Sequence, residues 1–347
     1  MRTFCWLFLV GVLAHCREPR PAAKPPGDRI NGLSLVAPIR QVDSSILGPV
    51  RAVGANWVAL MPYAFGEMGQ PTLHHANSRQ WWGERPDGVA AMIQMAHRQG
   101  LKVMVKPQIW LRGGEYTGKL TMKSGADWQS WEESYREFIL GYARLADSAK
   151  AELLCIGTEL DGSVAGRPQF WKALIGEIRS VYNGKLTYAA NWDTHQVFPH
   201  WTLLDYVGVD AYFPLTNDAS PSVEDLESAW QPHVKALRNF SNKLSRPILF
   251  TEFGYRSVSN CAHKPWVSDT DDPADAQAQR NAYEALFRAC WAQPWMVGGF
   301  VWKWYEKPIR EGRWHRHATD YTPQQKPAEK VLKAWYGGTP ETSGSPL

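Results

Sequence analysis

Eight short apolar runs alternating with amphipathic stretches constrain the fold of this chain more than any other feature. They lie at 30–37, 57–62, 102–107, 152–158, 186–190, 206–210, 248–251 and 298–302. Short, nearly continuous apolar runs suit strands of a parallel sheet buried on both faces. Between them, apolar residues recur at helical spacing. In 86–100, Val89, Met92, Ile93, Met95 and Ala96 share a face, Pro86 opens the segment and Gly100 closes it, which is helix punctuation. Further helices are expected at 127–150, 167–183, 222–245, 274–292 and 325–336, with Ser222 and Asp225 at capping-box-like spacing. Eight strands with intervening helices is the pattern of an α/β fold, a single (β/α)8 TIM barrel. An open doubly wound sheet is the competing arrangement, but no Gly-rich nucleotide fingerprint follows the first run. The barrel is expected over 29–338 of the 347 residues.

The remaining segments and the composition narrow the class. Met1-Arg2 followed by an apolar core at 4–13 reads as an export signal, too short to span a bilayer. Leu13-Ala14-His15-Cys16 is similar to a lipoprotein cleavage box, although His15 stands where a small residue is expected. Residues 1–16 are therefore read as the signal and Cys16 as the candidate lipidated residue, which would attach the protein to a membrane. The expected location is the cell envelope (periplasm or outer surface) as a lipoprotein, or secretion without an anchor. Residues 17–28 form a Pro-rich tether and 339–347 a flexible tail. The net charge of +4 is spread along the chain, which gives no argument for a nucleic-acid partner. Cys155 lies in an apolar run and packs as a small hydrophobe. Cys261 and Cys290 are either bridged, as export permits, or two free thiols. No spacing resembles a zinc site, so no metal and no cofactor are expected. A monomer is expected.

Two of the apolar runs end in glutamate: Glu159, in Ile156-Gly157-Thr158-Glu159-Leu160, and Glu252, in Phe250-Thr251-Glu252-Phe253-Gly254. An ionisable group directly after a buried run is costly unless something uses or pairs it. In barrels of this kind catalysis sits at the C-terminal strand ends, and a carboxylate pair is the working part of most glycoside hydrolases. Strand alternation puts Cys155, Gly157 and Glu159 on one face, and Phe250 with Glu252 likewise. A structural ion pair with Lys or Arg is the competing role for each glutamate.

Tryptophan is abundant, at 18 residues. Flat rings give an apolar platform to the CH-rich faces of sugars, although core packing is the ordinary role of any one of them. Trp110, Trp192, Trp302 and Trp304 fall near expected strand ends, and Trp302 and Trp304 are expected on one face, one of them flooring the sugar. Lys106 and Gln108 alternate with apolar neighbours after the third run. They could bind hydroxyls, or Lys106 could form an internal ion pair. His75, beside His74, could line a subsite or be merely solvated. Asn191 and Tyr212 follow the fifth and sixth runs. Arg112-Gly113-Gly114 reads as a flexible active-site loop rather than a phosphate loop.

In Gln80-Trp81-Trp82-Gly83-Glu84, Gly100-Leu101-Lys102-Val103-Met104-Val105-Lys106-Pro107, Ile156-Gly157-Thr158-Glu159-Leu160 and Thr251-Glu252-Phe253-Gly254-Tyr255 the chain resembles glycoside hydrolase family 113, the β-mannanases. That family lies within the large clan of retaining barrel hydrolases with glutamates on strands 4 and 7. The resemblance implies that Glu159 is general acid/base and Glu252 nucleophile in a double displacement on β-1,4-mannan, with carboxyls about 5–5.5 Å apart. It implies that Tyr212 hydrogen-bonds the nucleophile. The clan usually carries Asn just before the acid/base; Thr158 stands there, so the contact to the sugar 2-OH falls to another residue, with Asn191 the candidate and a turn its competing role. The partner implied is a β-linked oligo- or polysaccharide. Alternatives are a retaining hydrolase or transglycosylase on another β-linked glycan, and a non-catalytic sugar-binding surface lipoprotein, which would have no need of two carboxylates about one bond.

Overall fold

The computed structural model describes residues 29–307 and 317–337. The expected signal, tether and tail, with Cys16, lie outside the described residues. In chain order the elements are β1 (Ile30–Leu35), α1 (Gly48–Ala52), β2 (Trp57–Leu60), β3 (Tyr63–Gly66), α2 (Pro86–Arg98), β4 (Lys102–Val105), β5 (Gln108–Leu111), α3 (Gly125–Ala149), β6 (Leu153–Thr158), α4 (Asp161–Gly166), α5 (Pro168–Val181), β7 (Lys185–Asn191), β8 (Val207–Asp210), α6 (Val223–Leu244), β9 (Ile248–Phe253), α7 (Ala276–Leu286), β10 (Met296–Trp304) and α8 (Pro327–Tyr336).

Eight of the strands close a parallel barrel in the order β1-β10-β9-β8-β7-β6-β4-β2, the expected (β/α)8 architecture. The other two strands are an addition. Pro62 and Pro107 lack an N–H for the barrel ladder, and just past each the chain resumes as β3 and β5. These pair in parallel, Phe65 opposite Trp110, as a ribbon beyond the C-terminal rim. The second and third apolar runs end at these prolines, and the strands that follow them were not expected from the sequence.

Hydrophobic residues fill two shells. Ile30, Trp57, Ala59, Met104, Leu153, Cys155, Leu249 and Phe300 pack inside the barrel. A larger shell between barrel and helices includes Leu33, Val58, Val103, Ile156, Phe250 and Val301. Among the helices, α3 and α6 open on Ser124 and Ser222, whose hydroxyls accept from the N–H of Asp127 and Asp225. Cys261 and Cys290 are both buried free thiols, so the bridged alternative is not realised.

Simple alternation fails at three strand ends, and each failure positions a side chain. On β6, Cys155 faces Thr187 but Thr158 faces Ala189, three steps against two. This bulge turns Gly157 outward: a Cβ there would meet Trp171, Tyr135 and Tyr188 at 2.8–2.9 Å. Gly157 therefore does not share a face with Cys155, contrary to the alternation expected. On β9, Phe250 to Glu252 spans two steps while Val209 to Asp210 spans one. Phe250 packs in the outer shell and Glu252 turns to the mouth, so these two do not share a face either. On β10, Val301 to Trp304 spans three steps against the two from Leu33 to Leu35. Bulges gather at barrel rims and beside active sites because they re-aim side chains there.

Candidate active site

The three bulges converge on the C-terminal mouth of the barrel. A cleft of about 220 Å3 there is lined by Glu159, Glu252, Asp210, Thr158, Gln108, Tyr116 and Trp302, among others. A wider cleft of about 680 Å3 adjoins it and shares Tyr63, Trp110 and Trp302 with it. Its walls include Phe65, Trp81, His74 and Glu84. The ribbon β3/β5 supplies Tyr63, Phe65 and Trp110, so the proline breaks build one wall of the site. Trp110 is 54% exposed, an uncovered ring facing the cleft.

The two glutamates sit in opposite environments. Glu252 is held by donors on both oxygens. Lys106 Nζ and Gln108 Nε2 donate to Oε1, the latter at 3.1 Å, and the Tyr212 hydroxyl donates to Oε2 at 2.8 Å. Glu159 makes no side-chain hydrogen bond among the described residues. Its backbone is left-handed, φ +48°, uncommon for a non-glycine residue. Two hydrogen bonds hold this turn: Glu159 N–H donates to Ala189 O at 2.8 Å, and Leu160 N–H to the Tyr188 hydroxyl at 2.7 Å. Burial raises the Glu159 carboxyl well above the usual glutamate range, and the neighbouring Asp210 and Glu252 charges add to this.

Beneath the pair lies a buried ionic cluster. Lys106 is fully buried and reaches Asp210 Oδ1 at 3.4 Å as well as Glu252. Burial opposes its charge, but Asp210 and Glu252 outweigh burial and hold the ammonium above the ordinary lysine value. Asp210 also accepts from the Thr251 hydroxyl at 2.8 Å, and its Oδ2 has no partner among the described residues. Burial and the Glu252 charge push the Asp210 carboxyl up to about 7.

Several of the residues read from sequence as contacting substrate take other positions. Lys106 cannot touch a sugar, because it is sealed below the cleft. Tyr212 makes the contact to Glu252 that the resemblance implies, and packs against Tyr321. Trp304 does not share a face with Trp302: the β10 bulge sends it into the outer shell, 1% exposed, while Trp302 stays in the cleft. His75 packs on Phe138, ring centroids 5.1 Å apart, and it is His74 that lines the wider cleft. Asn191 donates to the Tyr116 hydroxyl at 3.1 Å and accepts from the Trp192 N–H at 2.8 Å. Trp192 stacks on Trp266, with centroids 5.3 Å apart. Gly114 lines the smaller cleft, and its φ of +73° is one that glycine accepts without strain.

The sequence reading missed Asp210, Tyr116 and Asp161. The Tyr116 hydroxyl donates to Asp161 at 2.9 Å, and Thr194 donates to the other Asp161 oxygen at 2.9 Å. Asp210 carried a signal: it ends an apolar run just as the glutamates do. Tyr116 lies in an irregular loop and carried none.

The profile of Glycoside Hydrolase Family 113 matches residues 43–326. The chain belongs to glycoside hydrolase family 113. Among solved structures, this family 113 hydrolase is similar to the GH113 β-mannanase AaManA from Alicyclobacillus acidocaldarius, with 25% identity over 89% of this chain and 97% of the other, TM-score 0.76. It also matches the fold of a GH113 β-1,4-mannanase, with 22% identity over 90% and 99% of the two chains, TM-score 0.77. A β-glucuronidase from Ruminococcus gnavus shares the fold at 12% identity over 89% of this chain and 50% of the other, TM-score 0.59. No curated protein sequence matches the chain. The family 113 hydrolase is thus a glycoside hydrolase on a single TIM barrel.

Proposed function

We propose that this hydrolase is a retaining β-mannanase that cleaves β-1,4-mannosidic bonds by double displacement, with Glu252 as nucleophile and Glu159 as acid/base. The observation that carries the assignment of roles is the contrast between the two carboxyls. Glu252 is fixed by Lys106, Gln108 and Tyr212, as suits an attacking group whose orientation must be set. Glu159 has no side-chain hydrogen bond among the described residues, and burial with two neighbouring charges favours its protonated form, as a proton donor requires.

Glu252 attacks the anomeric carbon, the glycosidic C–O bond breaks, and Glu159 gives its proton to the departing oxygen. Glu252 is then a neutral ester and Glu159 a carboxylate. Glu159 takes a proton from water, the water oxygen bonds to the anomeric carbon, and the Glu252 carboxylate leaves. The aromatic walls, Trp302 and Trp110 foremost, bind the chain of sugars along the wider cleft. Mannan is the preferred substrate because both family 113 relatives above are described as mannanases.

The protein is further proposed to work outside the cytoplasm, exported by residues 1–16 and, if Cys16 is lipidated, anchored at the cell envelope. No described helix is long and apolar enough to cross a membrane. A panel of mannan, glucan and xylan oligosaccharides, with the first-formed product anomer read by NMR, tests the reading. Fast cleavage of mannan with retained configuration supports it; inverted products or indifference to mannan overturn it.

A further inference from the structure

The two-glutamate mechanism leaves a cation to be accounted for. In the resting site Lys106 faces two carboxylates, Glu252 and Asp210. When Glu252 becomes an ester its charge is gone, yet Lys106 is fully buried and has no water to turn to. A buried charge deprived of its partner is strongly unfavourable. Asp210 is the carboxylate that remains within reach. It is fully buried, its Oδ1 is aimed by the Thr251 hydroxyl, and its unpartnered Oδ2 leaves it free to accept more from the ammonium.

We propose that Asp210 is a positioning residue, the standing counter-ion that keeps Lys106 in place while Glu252 is esterified and returns it to Glu252 when the ester breaks. The inference rests on the roles given above to Glu159 and Glu252. No atom is transferred to or from Asp210. During glycosylation the negative charge moves from Glu252 to Glu159 with the donated proton. Lys106 shifts its main contact from Glu252 to Asp210, and hydrolysis reverses the shift.

Asp210 acts on the second glutamate as well. After burial, its charge is the largest influence raising the Glu159 carboxyl, ahead of Glu252, and Lys106 opposes it. The groups that face Asp210 are Lys106 past β4, Cys155 on β6, Glu159 just past β6, Tyr212 after β8, and Thr251 and Glu252 on β9. One side chain thereby steadies the nucleophile's cation and keeps the acid protonated.

The test is Asp210→Asn, which keeps size and removes charge, assayed by rapid-quench kinetics on unactivated β-1,4-mannooligosaccharides, whose departing oxygen needs the Glu159 proton. The expected result is a glycosylation rate lowered roughly tenfold or more, little change in substrate binding, and an alkaline limb of kcat/KM moved to lower pH. A merely structural role would leave that limb in place. Thr251→Val is the second variant, needed if the first fails to fold. It leaves every charge but removes the hydroxyl that favours ionised Asp210, so the limb should move the same way by a smaller amount. An unmoved limb in the folded variants, or a loss confined to KM, overturns the inference. If Glu252→Ala is inactive while Asp210→Asn behaves as wild type, only this inference falls. If Glu252→Ala turns over normally, the mechanism beneath it falls too.

Discussion

Replacing Lys106 with Met should destabilise the protein in a way that depends on pH. Met matches the aliphatic stem of lysine but carries no charge, so Asp210 and Glu252 lose the cation between them. Their side chains are 1% and 9% exposed, too little for water to compensate. Removing one partner of a buried ion pair costs about 3–5 kcal/mol. For a domain of this size each kcal/mol lowers Tm by about 2 °C, so a drop of roughly 6–10 °C is expected near pH 8. The sign of the pH dependence follows from linkage. Lys106 is one of the groups holding the Asp210 carboxyl down, so its removal raises the folded-state value beyond about 7, further above the value in the unfolded chain. A carboxyl raised by folding gives stability that is present at low pH and lost as pH climbs through the folded value. The Tm deficit of Lys106→Met should therefore be smaller near pH 5 than near pH 8, measured by scanning calorimetry against wild type. An equal deficit at both pH values, or one below about 2 °C near pH 8, would show that Lys106 is not the buried partner of two ionised carboxylates.

Tyr212→Phe keeps the ring packed on Tyr321 and removes the donor to Glu252. Hydrogen bonds to charged groups contribute about 1.5–3 kcal/mol, so kcat should fall roughly 10- to 150-fold in steady-state assays, with the fold intact by circular dichroism. Trp302→Ala and Trp304→Ala should separate cleanly. The first raises KM with little change in Tm; the second costs about 3–5 kcal/mol in denaturant unfolding, because it empties a core site. Activity on mannan oligosaccharides should persist above the usual glutamate range and fall as pH rises through the raised Glu159 value, since the acid form is then lost. In Glu159→Ala the remaining activity on dinitrophenyl substrates, which need no acid for departure, should be slow in the second step and lack that limb.

The barrel was legible in the sequence because its strands are buried on both faces and its helices are amphipathic, so the two periods alternate visibly. Glu159 and Glu252 were legible because a carboxylate at the end of an apolar run has to be explained. The directions of side chains near the rim were not. Trp302 and Trp304 are two residues apart, and alternation puts them together; one extra residue in the β10 ladder separates cleft from core. The same kind of bulge removes Gly157 from the face of Cys155 and Phe250 from that of Glu252. Bulges are decided by pairing with neighbouring strands, which no local pattern records. Lys106 shows a different limit. Its two anionic partners lie 104 and 146 residues further along the chain, and only closure of the barrel brings them together. The choice between a hydroxyl ligand and a buried ion pair could not be made from its own neighbours.

Glu252 is proposed to form the covalent bond to the sugar. A 2-deoxy-2-fluoro-β-mannosyl fluoride has a good leaving group and a slowed second step, so it should arrest a retaining enzyme as the glycosyl-enzyme. Intact mass spectrometry should show one added fluorosugar, and peptide mapping should place it on Glu252, in the segment Thr251-Glu252-Phe253. A label on Glu159 or any other residue, or no adduct from an enzyme that releases inverted products, would rule out Glu252 as the nucleophile of a retaining reaction.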